Sequence, residues 1–141
     1  MFFVDTNVVV YATTRSRYRD SCARILKAVS SGQVDGQTSV AVLEELWHLE
    51  LRGVLGNLTG LTAEVRTMFA PVLAVTDEIF DRALALAATG NLGANDRVHV
   101  ATCLVMDIPA IVSADTGFDD APGLRRVDPL DKNGLRRLLD G

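Results

Sequence analysis

What this chain has little of already narrows what it can be. Its two cysteines, Cys22 and Cys103, each sit in an apolar-periodic stretch, and neither belongs to a CxxC or other metal-like spacing. That excludes a disulfide-stapled scaffold and a zinc–thiolate site, so both read as buried free thiols, and a reducing, cytoplasmic setting is expected. No apolar run approaches the ~20 residues of a membrane span and no basic segment leads into one, so a soluble, unexported protein without a membrane partner is expected. Repeats, low-complexity tracts and Pro/Gly/Ser linkers are lacking too, which leaves one domain over 1–141. Positive charge is also short. A net charge of −4 argues against a domain whose only task is to coat nucleic acid. It leaves room for an enzyme that handles phosphates through metal ions.

What is present is an ordinary globular mixture, 48% hydrophobic and 23% charged, in a chain long enough to bury roughly two-thirds of its unfolded surface. Residues 2 to 4 read as a short buried strand ending abruptly in Asp5-Thr6-Asn7, with the apolar run Val8-Val9-Val10-Tyr11 after it. Tyr18, Cys22, Ile25, Leu26 and Val29 recur at helical spacing until Gly32. Ser39 opens a second helix through about Arg52. Thr62 is a candidate cap for a helix over 63 to 70, Pro71 stops it, and Val72 to Val75 reads as a strand. Thr76 with Asp77 and Glu78 starts a helix that Gly90 closes, and another runs from about Asn95 to Met106. Ala110 to Ala114 reads as a strand, Arg126-Val127 as a short one, and Gly134 to Leu139 as a terminal helix. Strands alternating with helices predict a doubly wound α/β fold, a mainly parallel sheet with helices on both faces.

Four carboxylates occupy positions that such a fold can bring together. Asp5 and Asp115 directly follow strands, Asp96 sits in the first turn of a helix, and Glu45 lies among Val42, Leu43, Leu46 and Trp47, with Glu44 beside it as the alternative inward residue. Each also has a plain structural account: an acid at a helix N-terminus is stabilising by about 0.3–1 kcal/mol, and Asp115 suits the turn Asp115-Thr116-Gly117. Convergence of like charges is costly without a cation, and hard carboxylate oxygens favour Mg²⁺ or Mn²⁺ over zinc. Such a centre suits phosphoryl transfer, with no histidine needed as base. His99 is expected to pack or lie at the surface, and His48 to pair with Glu44 or face solvent; neither forms an HExxH motif.

The ordered blocks Phe3-Val4-Asp5-Thr6-Asn7-Val8, Thr38 to Leu46 ending in Glu-Leu, Asn95 to Thr102 and Ile111 to Phe118 resemble those of the PIN-domain family, in particular the VapC-type ribonuclease toxins of VapBC toxin–antitoxin pairs. The resemblance spans nearly the whole chain. It implies a PIN-like fold and an Mg²⁺- or Mn²⁺-dependent endoribonuclease with Asp5, Glu45, Asp96 and Asp115 as catalytic acids. Asp5, Asp96 and Asp115 are the implied metal ligands, with Glu45 acting through a bound water. Thr6, Asn7 and Ser113 supply polar groups for substrate, and Asp119 or Asp120 is a further candidate acid or simply part of a solvated loop. Arg15, Arg17 and Arg19, taken to lie on the loop nearest Asp5, and Arg97 beside Asp96 are the candidate RNA contacts. Implied partners are RNA, a VapB-type antitoxin and a second copy of the chain in a homodimer. The alternatives are a non-catalytic PIN-like binding module, a PIN nuclease of RNA processing and, less well, a haloacid-dehalogenase-type phosphohydrolase, whose second aspartate would stand where this chain has Asn7.

Overall fold

The computed structural model describes residues 1–86 and 92–140. Four parallel strands, β1 (Phe2–Val4), β2 (Gly36–Gln37), β3 (Ala110–Val112) and β4 (Arg125–Val127), form one sheet in the order β2-β1-β3-β4. Seven α-helices accompany them among the described residues: α1 (Thr6–Thr13), α2 (Arg19–Ser30), α3 (Val40–Leu51), α4 (Leu61–Phe69), α5 (Asp77–Ala85), α6 (Ala94–Val105) and α7 (Lys132–Asp140). A 3₁₀ turn at Thr116–Asp120 follows β3.

The two central strands, β1 and β3, are wholly apolar because both of their faces are covered. Phe2, Val4, Ala110, Val112 and Val127 pack in one core with Val8 and Val9 of α1, Cys22 and Ile25 of α2, Val65 of α4 and Leu135 of α7. The alternate residues Phe3 and Ile111 point to the other face, where Val100 and Cys103 of α6 and Phe118 meet them. Both cysteines are buried and free, as expected, and burial pushes each thiol up to about 12. Among the described residues no helix is long and apolar enough to cross a membrane.

The structure departs from the sequence reading at four elements. Val8 to Tyr11, β-branched and unassigned by pattern, belongs to α1: Asp5 accepts from the Thr6 amide at 2.8 Å as its N-cap, and burial of Val8 and Val9 against the sheet overrides strand propensity. The two-residue β2 carries no apolar signal. It pairs with β1 because a Cβ on Gly36 would come within 2.5 Å of Val29 Cγ2, so only glycine lets the strand approach. Val72 to Val75 makes no ladder; Leu73 alone bridges Ser39, exchanging hydrogen bonds with Thr38 and Val40. Finally, α4 begins at Leu61 after Gly60 at φ 91°, so Thr62 sits inside the first turn and not at its cap. The helix stop expected at Gly90 lies outside the described residues.

Candidate active site

In a sheet of order β2-β1-β3-β4 the chain leaves β1 and β3 in diverging directions, and their carboxyl ends form the crevice where open α/β sheets bind ligands. The Asp5 amide donates to the Val112 carbonyl at 3.2 Å, so the residues just beyond the two strands lie side by side. Asp5 is buried (5% exposed). Its Oδ2 accepts from Ser113 Oγ at 2.7 Å and from Asn7 Nδ2 at 3.2 Å. Asn7 also donates to Ser113 Oγ at 2.9 Å and accepts from the Ala114 amide at 3.2 Å. The polar groups of Asn7 and Ser113 are thus spent on bracing Asp5 and on stitching the start of α1 to the end of β3.

Glu45 reaches the crevice from α3. Ser39 caps that helix by accepting from the Ala41 amide, and Val42, Leu43 and Leu46 are buried, which leaves Glu45 half-buried facing the sheet end and Glu44 exposed. Both Glu45 oxygens are held: Thr6 Oγ1 donates to Oε2 at 2.9 Å, and His99 Nε2 lies 2.7 Å from Oε1. His99 is fully buried beside the Phe3 ring, 3.9 Å from Asp5 Oδ1, and its Nδ1 has no partner among the described residues. A proton on Nε2 satisfies the pair; a second proton would bury an unsatisfied Nδ1–H at a cost of about 1–3 kcal/mol.

Asp96 stands one turn before His99 in the first turn of α6, and Asp115 caps the 3₁₀ turn by accepting from the Gly117 amide at 2.8 Å. An open cavity of about 250 Å³ is lined by Asp5, Glu45, Asp96 and Asp115 together with Tyr11. Charge crowding is visible in the proton affinities. Burial, then the charges of Asp5 and Asp115, push Asp96 up to about 6. Burial raises Asp5 against the pull of His99 and the hydrogen bonds from Ser113 and Thr6. Glu45 is lowered: burial opposes ionisation, but the hydrogen bonds from His99 and Thr6 and the His99 charge outweigh it. Burial lowers His99 in turn, and its hydrogen bond to Glu45 with the charges of Asp5, Glu45 and Asp96 raises it overall. The donor set fits a hard cation. Carboxylate oxygens of Asp5 and Glu45 lie within 4.8 Å of each other, with His99 beside them holding Glu45, and Asp96 and Asp115 border the same space.

The expected cations are placed less directly. Arg15 and Arg17 lie beyond the far end of α1 and Arg19 begins α2, an eight-residue helix away from Asp5, roughly 12 Å at 1.5 Å per residue. Their loop is therefore not the one beside Asp5. Arg17 packs over Tyr18, which stacks on Tyr11 at 4.8 Å between ring centroids, so it touches the cavity wall only through two rings. Arg97 donates from Nε to the Leu92 carbonyl. Asp119 pairs with Arg126. Sequence reasoning missed Tyr11 as a wall residue and His99 as the buried partner that holds Glu45. His99 was visible one turn from Asp96, but nothing in the pattern put Glu45 opposite it, and Tyr11 was hidden because α1 did not read as a helix.

Fold and site together define an α/β protein with a carboxylate-rich, cation-suited centre at the switch point of a parallel sheet. The PIN domain family model matches residues 2–124, and the chain belongs to the PIN-domain family. Ribonuclease VapC13 of Mycobacterium tuberculosis is 27% identical over 136 residues, 90% of this chain and 99% of the relative. Among solved structures, VapC20 of Mycobacterium tuberculosis, described as a sarcin-ricin loop cleaving toxin, is similar with a TM-score of 0.71 at 21% identity, covering 87% of this chain and 96% of that one. VapBC2 of Rickettsia felis, solved with a DNA fragment from its promoter, is similar with a TM-score of 0.58 at 16% identity, covering 90% and 97%. These structural likenesses establish the shared fold.

Proposed function

We propose that this protein is an Mg²⁺- or Mn²⁺-dependent endoribonuclease, the toxin of a VapBC-type pair, held in check by a VapB-type antitoxin. The observation that carries the reading is the convergence of Asp5, Glu45, Asp96 and Asp115 from four separate elements on one cavity. Family membership and the ribonuclease relative support the same activity.

Asp5 and Asp96 are the proposed principal ligands, with Asp115 completing the set from the rim. When bound, the metal would polarise the scissile phosphate and make a water nucleophilic near neutral pH. Glu45 stays ionised because Thr6 and His99 donate to its two oxygens, and a carboxylate so fixed orients a water by accepting its proton. Asn7 and Ser113 keep Asp5 from turning away from the cavity. Asp115, exposed at the rim, is placed to meet the incoming strand. Trp47 and Leu51 of α3 and Phe80 and Leu84 of α5 remain more than half exposed, while Leu43, Leu46 and Leu55 are buried. Apolar side chains left in water on these helices support a protein partner, the antitoxin or a second copy.

The test is cleavage of RNA by purified protein with and without Mg²⁺ or Mn²⁺, comparing Asp5→Asn and Asp96→Asn. Each substitution should abolish cutting while leaving the circular dichroism spectrum unchanged; cutting that persists in excess chelator would overturn the mechanism. Induced expression should arrest growth, and co-expression of the neighbouring small open reading frame should relieve it.

A further inference from the structure

Away from the acidic cavity, α2 and α7 enclose a groove of about 550 Å³. Arg24 and Lys27, one turn apart on α2, and Lys132 and Arg136, one turn apart on α7, line it from opposite sides, with Asp140 as the only acid in the lining. Both lysines of the chain stand here, and four of its 14 cations, although the net charge is −4. None of the four joins an ion pair among the described residues, whereas Arg126 is tied to Asp119 and Asp128. Like charges kept along one channel repel each other, and a bound polyanion relieves that repulsion. Ser31 and Gln33 add neutral hydrogen-bonding groups at the same groove.

The geometry points to a second RNA contact: the α2–α7 groove holds the phosphate backbone of the substrate strand away from the scissile bond. This rests on the ribonuclease reading above. The acidic cavity repels RNA, Arg97 beside Asp96 is engaged on the Leu92 carbonyl, and Arg17 is engaged on Tyr18. Affinity for a polyanion has to come from elsewhere, and two facing rows of cations suit a linear chain of phosphates better than a point anion. The helix α7 lies beyond the residues matched by the family model, whereas α2 lies within them.

The experiment measures binding of a long single-stranded RNA by fluorescence anisotropy in EDTA over a salt series, and steady-state cleavage of that RNA and of a tetranucleotide. It compares wild type with Lys27→Gln/Arg136→Gln and with Arg24→Glu/Lys132→Glu. Each double variant should weaken long-RNA binding about tenfold and reduce the slope of log affinity against log salt by about 0.7 per lost contact. KM for the long RNA should rise with kcat unchanged, and the tetranucleotide should be cut as before. Unchanged affinity and slope in variants whose melting curves match wild type would overturn the groove assignment while leaving the ribonuclease reading intact. Groove-dependent RNA binding by a protein that never cuts RNA would do the reverse. Loss of binding to poly-glutamate, with RNA binding intact, would assign the groove to an acidic protein instead.

Discussion

Glu45 has each oxygen held by a different element, Thr6 from α1 and His99 from α6, and so its orientation depends on both. Substituting His99 with Leu should lower kcat about 10- to 100-fold with little change in KM, since partners that orient a site carboxylate typically carry that much. His99→Gln, which retains a donor, should recover part of the loss, and single-turnover kinetics would read both. Asp96 makes a prediction of the opposite kind. Folded, it keeps its proton up to about pH 6, against an ordinary value of 3.8. Between those values the folded state binds more protons than the unfolded one. Its contribution is therefore present at acid pH and lost as pH rises through about 6. In chelator, thermal denaturation across that window should show a fall in stability that Asp96→Asn lacks. Mn²⁺ binding, which must displace the proton, should weaken below about pH 6 in a calorimetric titration.

Among the elements, the segment after β3 is pinned by Arg126 of β4. Its guanidinium donates to the Ser113 carbonyl and Asp128 Oδ2, both at 3.0 Å, and to both oxygens of Asp119. Arg126→Gln should destabilise the fold by about 1.5–3 kcal/mol, the range for lost hydrogen bonds to charged groups, as read by urea denaturation. It should also loosen Ser113 and Asp115, lowering kcat. The strand-and-helix rhythm was legible because α2, α3 and α6 each show apolar residues at helical spacing and β1 and β3 are short apolar runs. What was not legible follows from tertiary context: α1 is helical through its Asp5 cap and the packing of Val8 and Val9, β2 exists because Gly36 admits Val29, and residues 72 to 75 look like a strand but find only Ser39 to pair with. The start of α7 was also obscured. Asp131 accepts from the Gly134 amide, and Gly134 lies so close to Asp131 and Val127 that a Cβ would collide, which makes a glycine a helix residue and not a boundary.

At the scale of the molecule, four repelling acids in one cavity make folding and cation binding a linked equilibrium. Mg²⁺ or Mn²⁺ at a hundredfold excess over its Kd should add about 2.7 kcal/mol of stability. Scanning calorimetry should record this as a rise in Tm that the Asp5→Asn/Asp96→Asn double variant lacks. Asp5, Asp96 and Asp115 were readable from the sequence because each follows a strand or opens a helix, whereas the apolar pattern left Glu44 and Glu45 open and the family resemblance favoured Glu45. The hydrogen bonds that fix them were not, since Thr6, Asn7, Ser113 and His99 acquire their roles only when distant segments meet.

That distance has a consequence for synthesis. Ser113 Oγ and Asp5 Oδ2 are bonded across 108 positions, and the strand that carries Asp5 sits between β2 and β3. A growing chain with only its N-terminal half outside the ribosome has Asp5 and Glu45 but neither Asp96 nor the brace from β3, and parallel pairing between β1 and β3 has to wait for the later strand to emerge. The nascent polypeptide thus lacks an assembled centre until Asp96, Ser113 and Asp115 have all emerged, which keeps the message being read out of reach of its own product until then.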